Sequence, residues 1–476
     1  MKNTILLIGL FVCSLKGFSQ DSLSYYLEQA TKNNPTVMQR YNEYQAALQK
    51  IPQASSLPDP QLEMGFFLSP MELMAGNQIA DIKLMQMFPW FGVLKNAKDE
   101  MSLMAKAKYE AFVDAKLQVY FDVQSIWFDL YKVRRNLIIS ANNLELLKTI
   151  ERLTIAKLKA GSSNFAGSST SGKMPENGSS GLSTGTGGMG GSMNNNATNS
   201  GLSTGSKASG VSVPMNAPMN SGSSALVDIY RIQTEIKELE NAMLLLKNEE
   251  QIIQSRFNSL LNRNLQSAVS GTHSLPVEPL DISYLTVSDS MFANNPMLTM
   301  LQYDKQSIDA RKKMQQKMGL PMVGVGLNYS VISKNPMSTS AMNGQDMLMP
   351  MVSVTLPVYR KKYKAMQSES NYLKAATENN YVATANALKV EYLEALQQYQ
   401  DANRRIKLYK NQRELTQKSV DILLKSFAAS TVGLTDIILL QQQTLNYELK
   451  EIEALVDYNK AVSLLKRIHP NTAPNP

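Results

Sequence analysis

The chain has 476 residues, 48 Lys and Arg against 40 Asp and Glu, a formal net charge of +8 and a single cysteine. The positive excess is scattered through Glu/Lys/Arg mixtures rather than gathered in blocks, which reads as solvated helix surface and gives no footing for nucleic-acid binding. One thiol cannot build a disulfide framework or a thiolate metal cluster.

Residues 1–19 form the first recognisable unit. Lys2 precedes an apolar run from Ile5 to Val12, and Gly17-Phe18-Ser19 places small residues at −3 and −1 of a cut after Ser19. This is the layout of a secretory signal peptide, and the run is too short for a membrane-spanning helix. Cys13 lies inside it. Acylation of Cys13 is the alternative reading, although Phe11 and Val12 stand where small residues are preferred. Cleavage after Ser19 would leave no thiol and would remove Lys2 and Lys16 from the charge balance. No later apolar stretch is long enough for a membrane helix. An exported chain of this kind is periplasmic, secreted or part of an outer-membrane barrel.

The first structural repeat is expected over 20–265. Its strands, at about 60–68 and 79–88, alternate: Leu62, Met64, Phe66 and Leu68 oppose Gln61, Glu63 and Gly65, and Ile82 and Leu84 oppose Asp81 and Lys83. Residues 93–160 contain no proline, so one helix of about 100 Å is expected there, followed by a return helix at 225–262. Between them, residues 162–224 are a Gly/Ser/Asn/Thr tract carrying Met174, Met189, Met193, Met215 and Met219. Such a composition predicts disorder.

The second repeat is expected over 280–469. Strands at about 322–332 and 349–357 alternate in the same manner, a long helix covers 358–428 and a return helix 435–467. The duplication is visible in the letters. Asn33-Asn34-Pro35 recurs as Asn294-Asn295-Pro296, and Pro89 and Pro357 lie 268 positions apart. Val119, Val123, Ile126, Leu130, Val133 and Leu137 step by four and three; Leu388, Tyr392, Ala395, Tyr399, Ala402 and Ile406 repeat those steps at an offset of 269. A heptad frame shared over that distance implies two halves built alike.

Ten-residue alternating strands fit a membrane barrel, with lipid on one face and water on the other. Four strands cannot close one, and an open edge is not viable in lipid. Three chains would supply twelve strands, enough for a water-filled lumen. The expected fold is therefore mixed: four strands per protomer in a trimeric barrel, standing on a coiled-coil helical barrel.

Phe88-Pro89-Trp90-Phe91-Gly92 and Val354-Thr355-Leu356-Pro357-Val358-Tyr359 resemble the strand-to-helix signatures of the TolC-like outer-membrane efflux family, and the duplicated layout is similar along the whole mature chain. Phe88, Pro89, Trp90, Gly92, Leu356 and Pro357 carry the signature. The resemblance implies a homotrimer in the outer membrane with a tunnel reaching into the periplasm. It also implies a periplasmic adaptor and an inner-membrane pump as protein partners, outer-membrane lipid around the barrel, and no nucleic acid, cofactor or catalytic activity. The Phe-Pro-Trp-Phe-Gly form, with Tyr359-Arg360-Lys361-Lys362, is most like the heavy-metal branches, copper/silver and cobalt/zinc/cadmium. A duct for drugs or type I protein secretion, and a non-transporting trimeric coiled-coil surface protein, are the alternatives.

The family's periplasmic entrance lies where the long helices fold back. Asp228 and Asp436 match its acidic residue just after the turn and are the gate candidates, but a second acidic position three residues on is occupied by Arg231 and Leu439. Helix N-terminal residues stabilised by the macrodipole are the other reading of both aspartates. The chain has 27 methionines, many in or beside the strands, including Met64, Met85, Met87, Met349 and Met351, and none after Met366. Thioethers favour soft cations such as Cu(I) and Ag(I), so the barrel and the 162–224 tract are candidate transient metal stations; flexible apolar packing is the competing account. His273 and His469 are isolated, and no phosphate loop, nucleophile elbow or metal-ligand cluster appears.

Overall fold

A computed structural model of the chain describes residues 23–73, 75–163, 221–270, 274–280, 294–428 and 433–470. The signal segment with Cys13, nearly all of the 162–224 tract with its five methionines, and His273 lie outside the described residues.

In chain order the elements are α1 (Leu23–Asn33), α2 (Pro35–Ser55), β1 (Gln61–Leu73), β2 (Gly76–Phe88), α3 (Val93–Ser163), α4 (Ser221–Leu260), α5 (Pro296–Met318), β3 (Met322–Ser333), β4 (Met347–Thr355), α6 (Arg360–Ala428) and α7 (Leu434–Ile468). The strands form one antiparallel sheet in the order β1-β2-β3-β4. The long helices α3 and α6 run unbroken for 71 and 69 residues. Sequence reasoning assigns no element to residues 23–55 or 296–318, and these are the helices α1, α2 and α5. It also misplaces several boundaries by a few residues. The β1–β2 hairpin extends to Leu73 and back from Gly76, α3 continues to Ser163, α4 begins at Ser221, and α6 begins at Arg360 rather than at 358.

The helices form a layer in which α3 and α6 alternate with two stacked pairs. In the half nearer the sheet, α3 packs on α2 through Tyr41–Phe112 and Tyr44–Tyr109 ring contacts, with centroids 5.6 and 5.4 Å apart. On its other flank it meets α5 through a 2.8 Å Arg311–Glu100 ion pair. Further along, α4 replaces α2 (Arg134–Glu250, 2.7 Å) and α7 replaces α5 (Lys460–Asp129, 2.7 Å). The second long helix, α6, flanks α5 through Lys374–Asp309 and then α7 through Arg405–Asp457.

Each stacked pair is joined end to end by one asparagine. The Asn34 side chain caps α2, accepting from the Thr36 N–H at 2.9 Å, while its Nδ2 donates at 2.9 Å to the carbonyl of Leu260, the last residue of α4. Asn295 repeats this: its Oδ1 accepts from the Met297 N–H and its Nδ2 donates to the Ile468 carbonyl at the end of α7, both at 3.0 Å. The duplicated Asn-Pro is thus a splice. Asn supplies the cap, Pro fits the first helical position where no N–H is needed, and the amide satisfies a carbonyl orphaned at the neighbouring helix end.

The heptad positions face inward, but against different partners. Val119, Val123, Leu130 and Val133 pack with Tyr26, Trp127 and Phe257 of α1, α3 and α4. Leu388, Tyr392 and Ala395 pack against Leu465 and Ile468 of α7 and Leu298 of α5. At the level of the splices, one face of the layer carries a second layer. There α1 and residues 261–270 cover α3 and α4, with Arg134 donating to the Val269 carbonyl at 2.9 Å. Residues 274–280 cover α7, with Tyr458 donating to the Glu278 carbonyl at 3.0 Å.

Candidate conduit surfaces

The sheet has two chemically distinct faces. Leu62, Met64, Phe66, Leu84, Val325, Leu327 and Val352 lie on one, and Phe66 and Val352 are each 74% exposed. A soluble sheet would bury such a face against a core; among the described residues none covers these side chains. The opposite face carries Glu63 paired with Lys83 at 2.8 Å, Asp81, Gln78 donating to Ser330 at 3.3 Å, and Asn328. Alternation therefore separates an apolar face from a polar one, as the sequence predicts. Both outer strands are unpaired on their far sides. Each contains a proline, Pro70 in β1 and Pro350 in β4, which is tolerated at an edge because one side of the ladder there is not fully used.

At the strand-to-helix junctions, Phe88 ends β2 and Pro89 stops the ladder. Gly92 takes φ +85° so that the chain turns into α3, and its carbonyl accepts from the Asn96 N–H at 3.0 Å. Trp90 and Phe91 stand edge to face, centroids 6.2 Å apart, with Phe91 86% exposed. In the second half Leu356, Pro357, Val358 and Tyr359 make the same passage, again with Tyr359 exposed. Exposed aromatics where an apolar band ends match the girdle of a membrane barrel.

The face of α3 turned away from the second layer is polar. Asp114, Gln118, Asp122 and Asp129 recur along it, and Gln118 and Asp129 lie about half a turn from Trp127 and Arg134, which hold the covering chain. Arg467 of α7 donates to both Gln118 and Glu391, tying α3 to α6 through α7. Burial pushes the Asp114 carboxyl above the usual aspartate range, against the pull of Arg467 and Arg40. Burial likewise raises Asp122, which Gln118 and Arg467 oppose. Sequence reasoning missed this ladder, whose signal was acidic and amide residues at four- and seven-residue spacing on a proline-free helix.

At the far tip the two helical hairpins share one core: Leu147, Ile150, Ile232, Ile236, Phe427, Leu434 and Ile437. Lys157 donates to the Phe427 carbonyl at 3.3 Å and sits 4.4 Å from its ring centroid. Arg231 donates to Thr435 Oγ1 at 2.9 Å. At the position where the family pattern can carry a second acidic residue, Arg231 is a strut between α4 and α7. Asp436 is exposed in the first turn of α7, where Gly433 provides no side-chain cap, so the helix-terminus reading fits it. For Asp228 that reading fails: α4 starts at Ser221, two turns earlier. No cluster of three His, Cys, Asp or Glu able to hold a metal is present among the described residues, and no described helix is long and apolar enough to cross a membrane.

No family model and no curated protein matches the chain. Solved structures do. CusC, described in terms of folding and transmembrane channel formation, superposes with a TM-score of 0.69 at 12% identity over 95% of this chain and 92% of its own. The outer-membrane protein VceC of Vibrio cholerae gives 0.65 at 10% identity over 94% and 96%. The open state of the MtrE outer-membrane channel of Neisseria gonorrhoeae gives 0.65 at 10% over 94% and 88%. The chain has the fold of these channels along nearly its whole length.

Proposed function

We propose that the chain is the protomer of an outer-membrane exit duct, closed by three copies into a twelve-strand barrel above a helical tunnel, and that it works with a periplasmic adaptor and an inner-membrane pump. One observation carries the reading. The sheet exposes an apolar face and leaves both edges unpaired, on a chain whose helical layer also ends open, on α2 and α4 at one flank and α6 at the other. In lipid such edges are viable only when closed, and closure of β4 on the next copy's β1 closes the helical layer in the same step. Eight strands would leave an interior filled by side chains, whereas twelve leave room for water and solute.

On this reading the polar sheet face and the charged ladder of α3 line the passage. The shared tip, with Asp228, Asp436 and the Arg231–Thr435 strut, forms its periplasmic mouth, and the chain has no catalytic role. A heavy-metal cargo is supported by the placement of methionines on the polar sheet face; drug or protein export has no comparable support in these residues. The test is mass determination in detergent together with conductance in planar bilayers. Trimers that form ohmic channels are the expected result. A stably folded monomer with the same helical content would refute the assembly.

A further inference from the structure

Near the base of the sheet the polar face changes character. Met85 and Met87 point to it from β2, Met351 and Ser353 from β4, and between them β3 presents only Gly326 and Gly324, in the cross-strand rows Met85–Gly326–Met351 and Met87–Gly324–Ser353. With β3 bare, the side chains of β2 and β4 reach toward one another over it. Ser353 Oγ is oriented to donate to Met85 Sδ at 3.4 Å and lies 3.8 Å from Met87 Sδ, so two thioether sulfurs converge on one hydroxyl. The glycine is what admits them: a Cβ at Gly324 would stand 2.6 Å from Met87 Sδ. Lys83, two residues from Met85 on this face, is drawn off toward β1 by Glu63.

We propose that Met85 and Met87, steadied by Ser353, form a thioether station for a soft monovalent cation, Cu(I) or Ag(I), on the inward face of the barrel where it meets the helices. The inference rests on the channel reading for the word inward, and it names the cargo class of that passage. Neutral, polarisable sulfur ligands select soft cations over Mg(II) or Zn(II), which prefer oxygen or mixed nitrogen and charged ligands. Two uncharged ligands hold weakly, and a conduit needs sites weak enough to release what they bind. Met351, opposite Met85 across Gly326, is within the same patch as a further thioether. In a closed trimer the three copies would set three such stations at one level.

The test uses the full chain with Cys13→Ser, so that thioethers are the only sulfur ligands, and with its methionine methyl groups labelled with carbon-13. Met85→Leu and Met87→Leu, which nearly conserve volume, assign the two methyl signals. Titration with silver nitrate is expected to move both signals together, with Mg(II) and Zn(II) leaving them in place. Met87→Leu should weaken the silver response of the Met85 signal by about tenfold or more, the factor expected for loss of one of two ligands, and Ser353→Ala should weaken it less. Silver shifts elsewhere with Met85 and Met87 unmoved would overturn the station, as would a Met85 titration indifferent to Met87→Leu. Potassium conductance of the same preparations separates the two claims. Conducting channels without a silver response at these signals sink the station and leave the duct; a silver response without conductance upholds the metal site and sinks the duct.

Discussion

Replacement of Asn295 by aspartate tests whether the helix splice is a cap alone or a joint. Aspartate keeps the oxygen that accepts from the Met297 N–H, so the start of α5 stays capped. It loses the Nδ2 donor that satisfies the buried Ile468 carbonyl, and it sets a carboxylate against the negative end of α7. An unsatisfied buried carbonyl costs about 1–3 kcal/mol, and an anion at a helix C-terminus adds about 0.3–1 kcal/mol. If Asn295 were only a cap, aspartate would be neutral and alanine would cost about 1 kcal/mol. As a joint, aspartate should be nearly as harmful as alanine. Hydrogen exchange followed by mass spectrometry over the last turns of α7 reads this locally. Exchange there should quicken by about tenfold or more in Asn295→Asp, and the end of α4 should respond equally in Asn34→Asp. Wild-type exchange in Asn295→Asp would refute the joint. The two substitutions lie in separate columns with no shared partner, so their effects on unfolding in urea should add within about 0.5 kcal/mol.

Asp114 has a folded-state pKa raised by burial, so its contribution to stability is present below its unfolded value and is lost as pH rises through the folded one. Asp114→Asn should therefore raise the unfolding midpoint at pH 7, with the advantage gone below about pH 4; an advantage that persists in acid would mean the gain is not electrostatic. Asp228→Asn and Asp436→Asn should each change single-channel conductance or cation preference, and unchanged currents in both would remove them from the mouth. Deletion of residues 164–220 should leave trimers intact, since α6 and α7 are joined by only five residues and loop length adds little to closure entropy. Any export defect should be confined to Cu(I) or Ag(I), read as copper and silver tolerance. Failure of the deleted chain to assemble would make the tract structural.

The features legible in the letters were those set by local physics. Alternation placed Phe66 and Leu84 on one face and Glu63 and Lys83 on the other, because a strand has period two. Absence of proline allowed α3 and α6 their length, and Pro89 and Pro357 marked where ladders end. What stayed hidden depends on partners distant in sequence. Asn34 and Asn295 could be read as repeat marks, but their function needs the Leu260 and Ile468 carbonyls, 226 and 173 positions away. Without those joints α2 and α5 are short, weakly amphipathic segments opening on prolines, and α2 even contains Pro52. The tip misled for a similar reason. The family pattern directed attention to acidic residues, while Arg231 acquires meaning only when Thr435 folds against it. A count of methionines gave a metal hint without an address. The address came from two glycines on β3 that let Met85 and Met87 lean toward Ser353.

The apolar sheet face is not satisfied by the described helices, and the reason lies in the junctions. Between β2 and α3 there are only Pro89 to Gly92, and between β4 and α6 only Leu356 to Tyr359. Connections of four residues let a strand continue into a helix, but they leave no slack for α3 or α6 to fold back over the sheet as a layer. The helices therefore stand end-on to the strands, with their own seams consumed by α1, α4, α5 and α7. The sheet keeps a hydrophobic face with no cover among the described residues, and the exposed Trp90, Phe91 and Tyr359 mark where that face stops. On the proposed reading, lipid satisfies the face and further copies satisfy the edges. Short junctions, including Ser56 to Pro60 between α2 and β1, set the flank of β1 beside that of α2 and the flank of β4 beside that of α6, so on the proposed reading a copy that pairs correctly in the barrel is already in register for the tunnel. Lengthening either junction by a flexible Gly-Ser insert should uncouple the two closures, leaving trimers whose barrels resist detergent while their helices are cleaved by protease. Equal protection of both parts in the insert variant would show that the helical layer closes on its own contacts.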